Sequence, residues 1–225
     1  ILPDSPCSKD LLLVTLVHSR PHFAHARQAI RDTWGQFSRN RQGQERKNRA
    51  QSMELYFVTG LSDDEDVNAA LKNESAEYGD VIQFGFSDSY FNLTLKSLLD
   101  LRWASAFCQR ATYVMKADDD VFVNVRSLMS FLRKWGVTQN AILGDLRHHA
   151  PVFRDHPKWG VPYHRFPDDV YPDYLKGAAY VMTADVPGRL AEIAPFANPI
   201  HIDDVYITGI LTKIQGVRLV RANAF

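Results

Sequence analysis

Cysteine is scarce in this sequence: Cys7 and Cys108 are the only two in 225 residues. The histidines at His148, His149, His156 and His164 therefore lack thiolate partners, fit no zinc spacing, and read as surface. Net charge is missing too, with 26 basic and 26 acidic residues, so nothing points to nucleic acid or to an anionic membrane surface. A basic cluster at residues 39–49 reads as a solvated loop, with partner or substrate contact as its alternative. No apolar run reaches the roughly 18–20 residues that span a bilayer. No basic start followed by an apolar stretch opens the chain, so no signal peptide is read. The chain starts without Met and reads as an excised domain truncated at both ends, its membrane association confined to an anchor absent from these residues. Gly-rich phosphate loops, internal repeats and low-complexity tracts are lacking as well.

What is present describes a globular domain. Hydrophobic residues make up 45% and aromatics 12%, too many for a disordered chain, and the length suits one large domain with a real core. Residues 11–17, 53–58, 80–84 and 111–117 are apolar runs of strand length, as expected for strands buried on both faces. Helical spacing follows them at residues 22–37, 63–78 and 93–108, the last with an apolar stripe of Leu95, Leu98, Leu99, Trp103 and Phe107. The second half is less regular. Helices are expected at 125–135, 185–194 and 204–214, strands at 141–146, 178–183 and 217–221, and a Pro-rich loop at 148–172. Strands alternating with helices predict an α/β fold with a mostly parallel sheet, whose ligands sit outside the carboxyl ends of the strands.

The richest stretch is Asp118-Asp119-Asp120, three carboxylates between two β-forming segments at the end of the fourth predicted strand. Like charges this close repel, and a divalent cation is the natural partner, because Mg²⁺ or Mn²⁺ prefers carboxylate oxygen and often completes its shell with substrate phosphates. Strand alternation would send Asp118 and Asp120 to one side and Asp119 to the other. An acidic turn after a strand is the plain alternative. A second acidic pair, Asp203-Asp204, precedes a predicted helix. It reads either as an ordinary helix cap or as a general base for an incoming hydroxyl. A metal–diphosphate site with a separate carboxylate is the minimum kit of an inverting sugar-nucleotide transferase.

Several ordered stretches carry a resemblance. Ser19-Arg20-Pro21 with Arg27-Gln28-Ala29-Ile30-Arg31-Asp32-Thr33-Trp34-Gly35 comes first, then Phe57-Val58-Thr59-Gly60 and Tyr78-Gly79-Asp80-Val81-Ile82 through Tyr90-Phe91-Asn92-Leu93-Thr94-Leu95-Lys96. Lys116-Ala117-Asp118-Asp119-Asp120-Val121-Phe122-Val123-Asn124, Lys158-Trp159, Tyr171-Pro172-Asp173-Tyr174-Leu175-Lys176-Gly177 and Asp203-Asp204-Val205-Tyr206-Ile207-Thr208-Gly209 follow. In this order they resemble the β-1,3-glycosyltransferase family (glycosyltransferase family 31) that includes the animal β-1,3-galactosyltransferases.

The resemblance implies a GT-A fold, Rossmann-like, with a nucleotide-sugar-binding half at 11–124 and a loop-rich half at 125–225 for acceptor and catalytic base. It implies transfer of galactose from UDP-galactose, in β-1,3 linkage, to a glycoprotein or glycolipid acceptor glycan. A UDP-GlcNAc enzyme and a non-catalytic sugar-binding relative stand as alternatives. Mn²⁺ or Mg²⁺ would rest on Asp120 and Asp118, with Asp119 on the nucleotide side. Asp204 would be the base, with Asp203 holding it or the acceptor. Ser19, Arg20, Arg27, Arg31, Lys96 and Gly177 would face the donor; a solvated face is the alternative for the basic residues and a simple bend for Gly177. Trp159, Tyr171 and Tyr174 would form a platform for the acceptor sugar, or else belong to the core.

The family pattern is departed from in places. Asp203 stands where Glu is usual, no Cys follows in the next helix, and no His follows His201 to supply a carboxyl-terminal cation ligand. The GT-A topology makes the strands after Cys7 and after Cys108 neighbours, which predicts a disulfide between these cysteines. Two buried thiols are the alternative in a reducing compartment. Of two sequons, Asn73 on a predicted exposed helix is the better glycosylation candidate, since Asn92 lies within a motif beside the cleft. The setting these features imply is the Golgi lumen, with the chain as the catalytic domain of a type II single-pass membrane protein.

Overall fold

Apolar runs too continuous for a half-exposed strand become the inner strands of one sheet. The computed structural model describes residues 1–4, 6–7, 10–38 and 53–222, so the basic cluster at 39–49 lies outside the described residues. In chain order the main elements are β1 (Leu11–His18), α1 (Ala24–Asp32), β2 (Met53–Leu61), α2 (Glu65–Tyr78), β3 (Val81–Ser87), α3 (Leu93–Phe107) and β4 (Ala111–Asp118). They continue with α4 (Val125–Trp135), β5 (Ala141–Arg147), β6 (Tyr174–Thr183), α5 (Val186–Ile193), a π-helix (Val205–Leu211), α6 (Thr212–Gln215) and β7 (Arg218–Arg221).

The strand order is β3-β2-β1-β4-β6-β5-β7. Only β6 runs against its neighbours β4 and β5; the other pairs are parallel. This is the mostly parallel α/β architecture that the resemblance implies. Successive side chains point to opposite faces, so β1 sends Val14 and Leu16 into one core with Tyr56, Val114, Met182 and Leu190. It sends Leu13 and Val17 into the other, against Ile30 of α1 and Leu128 and Leu132 of α4. Both cores draw on the two halves of the chain. No helix among the described residues is long and apolar enough to cross a membrane.

Two predicted helices change shape for local reasons. The helix expected over 22–37 is α1 followed by a 3₁₀ turn at Trp34–Phe37. Thr33 Oγ donates back to the Ala29 carbonyl at 2.7 Å, and a Cβ at Gly35 would come within 2.7 Å of the Ile30 carbonyl oxygen. The chain turns there because glycine permits that approach. The helix expected over 204–214 opens as a π-helix. Thr208 Oγ accepts from Leu175 N–H at 2.8 Å and donates to the Asp204 carbonyl at 2.7 Å, tying the helix to β6. Such wide turns recur at functional sites.

The face of α3 also differs from expectation. Leu95 and Phe107 are 41% and 46% exposed, while Thr94, Lys96, Ser97, Asp100, Leu101, Trp103 and Ala104 are buried. The expected apolar stripe is therefore only partly the buried face: Trp103 is buried and Leu98 packs against the core, but Leu95 and Phe107 face outward while the polar Thr94, Lys96, Ser97 and Asp100 turn inward. Asn73 is exposed on α2, whereas the Asn92 amide donates to the Ser87 carbonyl at 2.9 Å.

Cys7 and Cys108 are joined by a disulfide that closes 101 residues of chain at the amino-terminal ends of β1 and β4. Replacing both by Ser should lower stability by about 4–5 kcal/mol in the chain-entropy account. Urea unfolding of the two proteins measures this. Two titratable free thiols in the denatured, unreduced wild type would refute the bridge.

Candidate functional site

The parallel strands β1, β2 and β4 end on the same side of the sheet, and a cleft of about 650 Å³ opens there. His18, Ser19, Arg20, Lys96 and the acids Asp118, Asp119 and Asp120 border it. β4 stops at Asp118, and Val121 N–H turns back to the Asp118 carbonyl, so the triplet is a turn and not a continued strand. The strict alternation of sides expected for the three acids does not apply. Asp119 N–H donates to the His18 carbonyl at 3.1 Å, which ties the turn to the end of β1.

Burial pushes the Asp118 carboxyl up, and Lys116 opposes that push. Asp119 Oδ2 is buried without a hydrogen-bond partner, and Asp120 is exposed. Among the described residues no group of three or more His, Cys, Asp or Glu is arranged to hold a metal by itself. An all-carboxylate set with an unpartnered buried oxygen does fit a hard cation that takes one or two carboxylates and fills its shell from a bound diphosphate.

Lys116 connects these acids to the second pair. It is 4% exposed, and its Nζ lies 2.6 Å from Asp118 Oδ1, 2.6 Å from the Gly177 carbonyl and 3.8 Å from Asp203 Oδ2. Burial works against its charge, but Asp118 and Asp203 outweigh burial and raise its pKa. Asp203 also accepts from Ser97 Oγ at 3.1 Å. Asp204 accepts from Gly177 N–H at 2.9 Å and from Val205 N–H at 2.8 Å. Burial, then the neighbouring Asp203 charge, push its carboxyl up to about 6, against the pull of those amides and of Lys116. A carboxylate poised there suits proton abstraction near neutral pH. Gly177 thus serves Asp204 and Lys116 directly; a Cβ on it would sit 3.3 Å from Asp204 Cβ.

The structure separates the other predicted site residues. Arg20 lies on the cleft wall with its guanidinium 5.1 Å from the Phe23 ring centre. Lys96 borders the cleft, yet its Nζ is held by Asp88 at 2.7 Å and by the Ser19 carbonyl at 3.1 Å. Ser19 is buried and accepts from Arg27 at 3.1 Å. Arg27 and Arg31 do not line the cleft. Both are buried, Arg27 on Glu74 at 2.6 Å and Arg31 on Asp80 at 2.6 Å and Glu74 at 2.7 Å. Burial alone would raise Glu74, but its two guanidiniums hold its carboxyl below the usual value.

Among the aromatics, Trp159 is exposed and stacks on His156 at 4.4 Å, and Tyr174 is half-buried. Tyr171 is a core residue at 7% exposure, packed on Phe166 at 5.2 Å, and offers no exposed platform. Sequence reasoning missed Lys116 and His18 as site residues, and gave Lys158 no role. Lys158 borders the cleft with its Nζ 4.4 Å above the Tyr90 ring. Burial, with the charges of Asp203, Asp204 and Asp118, raises the Tyr90 hydroxyl against a hydrogen bond with Trp159, so one cleft-wall group senses both acidic pairs.

Arg31→Met should lower stability by about 3–5 kcal/mol, because it leaves the buried Asp80 carboxylate without its guanidinium. Folded variant should keep wild-type affinity for a nucleoside diphosphate. Unchanged stability with lost affinity would return Arg31 to the ligand site.

The sequence profile described as Galactosyltransferase matches residues 25–223. The chain is 36% identical to lactosylceramide 1,3-N-acetyl-β-D-glucosaminyltransferase A of Xenopus laevis, over 93% of this chain and 56% of that protein. It is 35% identical to β-1,3-galactosyltransferase 5 of Mus musculus, over 95% of this chain and 68% of that protein. Among solved structures, a Pyrobaculum calidifontis mannosyltransferase in complex with GDP-Man and Mn²⁺ is similar over 99% of this chain and 57% of that one, at 10% identity and a TM-score of 0.47. The chain spans little more than half the length of several curated relatives. Its profile match and these identities place the chain in the galactosyltransferase family.

Proposed function

We propose that this domain transfers a hexose from a UDP-sugar to a hydroxyl of an acceptor glycan, with inversion and in β-1,3 linkage. Galactose from UDP-galactose is the first reading. UDP-GlcNAc is the second, favoured by the N-acetylglucosaminyltransferase that matches the chain at 36% identity, beside 35% for the galactosyltransferase. The observation that carries the proposal is Asp204, a buried carboxylate with its pKa raised to about 6 and both oxygens held by backbone amides. That environment argues against the non-catalytic alternative, since a helix N-terminus by itself holds a capping carboxyl down, whereas burial and Asp203 push Asp204 up.

In this reading Asp204 takes the proton of the acceptor hydroxyl as its oxygen attacks the anomeric carbon, and UDP leaves from the opposite face. Asp203, tethered by Ser97, keeps Asp204 basic through its charge. Asp120 and Asp118 would hold Mn²⁺ or Mg²⁺, which when bound neutralises the departing diphosphate. Asp119 would face the nucleotide side, and Arg20 and Lys158 would add positive charge along the cleft wall. Trp159 and Tyr174 would meet the acceptor sugar, a glycoprotein or glycolipid glycan. The disulfide and the exposed Asn73 sequon support a secretory setting, the Golgi lumen, with an anchor of the type II kind outside these residues.

Full-length protein screened against UDP-sugars with Mn²⁺, with product linkage determined, tests the reading. Asp204→Asn should lower kcat by about 10²–10⁴-fold while UDP still binds. Wild-type turnover by that variant, or full turnover under chelation, would overturn the mechanism. The pH profile has a fixed sign. Asp204 must be ionised, so kcat/KM should be flat above its raised pKa of about 6 and fall with acidification below it. A profile that rises on acidification would exclude Asp204 as the base.

A further inference from the structure

Beneath the cleft floor lies a buried pair that the proposed reaction does not use. His18, the last residue of β1, and Asp100 on α3 are each 5% exposed, and His18 Nε2 lies 2.5 Å from Asp100 Oδ2. Burial pushes the His18 ring down and the Asp100 carboxyl up, so desolvation works against a charge on either partner of this hydrogen-bonded pair. Their other polar atoms, His18 Nδ1 and Asp100 Oδ1, are buried without partners. As a stabilising element this is poor, since an apolar pair of the same shape would leave nothing unsatisfied. Asp100 also borders a cavity of about 10 Å³ shared with Ser97, Lys116 and Tyr180, space for a single water.

The neighbours of the pair show what it holds. The His18 carbonyl accepts Asp119 N–H, so the position of His18 sets the position of the acidic turn. On the same face of α3, Lys96 grips the Ser19 carbonyl and Ser97 grips Asp203. One helix therefore reaches the end of β1, the turn after it and the base pair.

We propose that Asp100 is a positioning residue that acts through His18 to fix the Asp118–Asp120 turn for the nucleotide and its cation. The inference rests on the glycosyltransferase reading. Supporting groups of this kind are worth about 10- to 100-fold in metal affinity.

The test is calorimetric titration of the full chain with UDP and Mn²⁺, alongside separate KM values for UDP-sugar and acceptor. Asp100→Leu should weaken UDP–Mn²⁺ binding about 10- to 100-fold and raise the donor KM in parallel, with the acceptor KM unchanged. Asp100→Asn, which keeps an oxygen for His18, should restore binding. His18→Ala should reproduce the loss and serves if Asp100→Leu does not fold. Folded Asp100→Leu or His18→Ala with wild-type UDP–Mn²⁺ affinity would overturn the proposal, whatever happens to stability. A wild type that binds no UDP–Mn²⁺ would overturn the glycosyltransferase reading and this inference with it.

Discussion

Lys116 carries a positive charge into the middle of the sheet, where three separate segments meet it: Asp118 at the end of β4, the Gly177 carbonyl of β6, and Asp203 beside the π-helix. A buried ammonium is a poor source of stability, because desolvation takes back most of the Coulomb gain. Its effect is on position. With Lys116 in place, three carboxylates at 118, 203 and 204 can share one end of the fold without expelling one another. Remove it, and burial plus mutual repulsion would drive protons onto some of them. The raised pKa of Asp204 shows how far that tendency already runs.

The opposing arrangement at Asp204 follows from the same geometry. β6 runs antiparallel to β4, so Gly177 presents its carbonyl to Lys116 and its amide to Asp204. Thr208 then fastens the π-helix to Leu175 of β6 and fixes the helix start that bears Asp204, the proposed base. Asp204 and the acidic turn are thus referred to adjacent strands of one sheet. In the proposed reaction the departing and attacking groups would approach a common centre from these separately anchored sides.

Much of the fold was legible in the sequence because burial leaves a pattern. Runs such as Leu11 to His18 and Met53 to Gly60 are apolar on both faces since other strands and helices cover them. The acid triplet sits at a strand's carboxyl end for the same reason, and its address was readable. The illegible part consists of long-range polar pairing. Arg27 and Arg31 offered phosphate contact or solvent as readings; neither applies, because Glu74 and Asp80 arrive from 47 and 49 residues away and bury them. α3 misled in the same way. Leu98 and Trp103 of its expected stripe do face the core, but the inward face also carries Lys96, Ser97 and Asp100, whose partners Asp88, Asp203 and His18 no local period can announce. A lysine inside the apolar stretch around Met115 was a local hint of a buried charge, and it points to acids nearby.

The direct test of this account is a double-mutant cycle on stability between Lys116→Met and Asp203→Asn, measured by urea unfolding at neutral pH. Coupling of about 1–3 kcal/mol is the predicted result, because the two groups share one buried network. Additivity within about 0.3 kcal/mol would contradict it and leave the acidic turn and the base pair as independent sites.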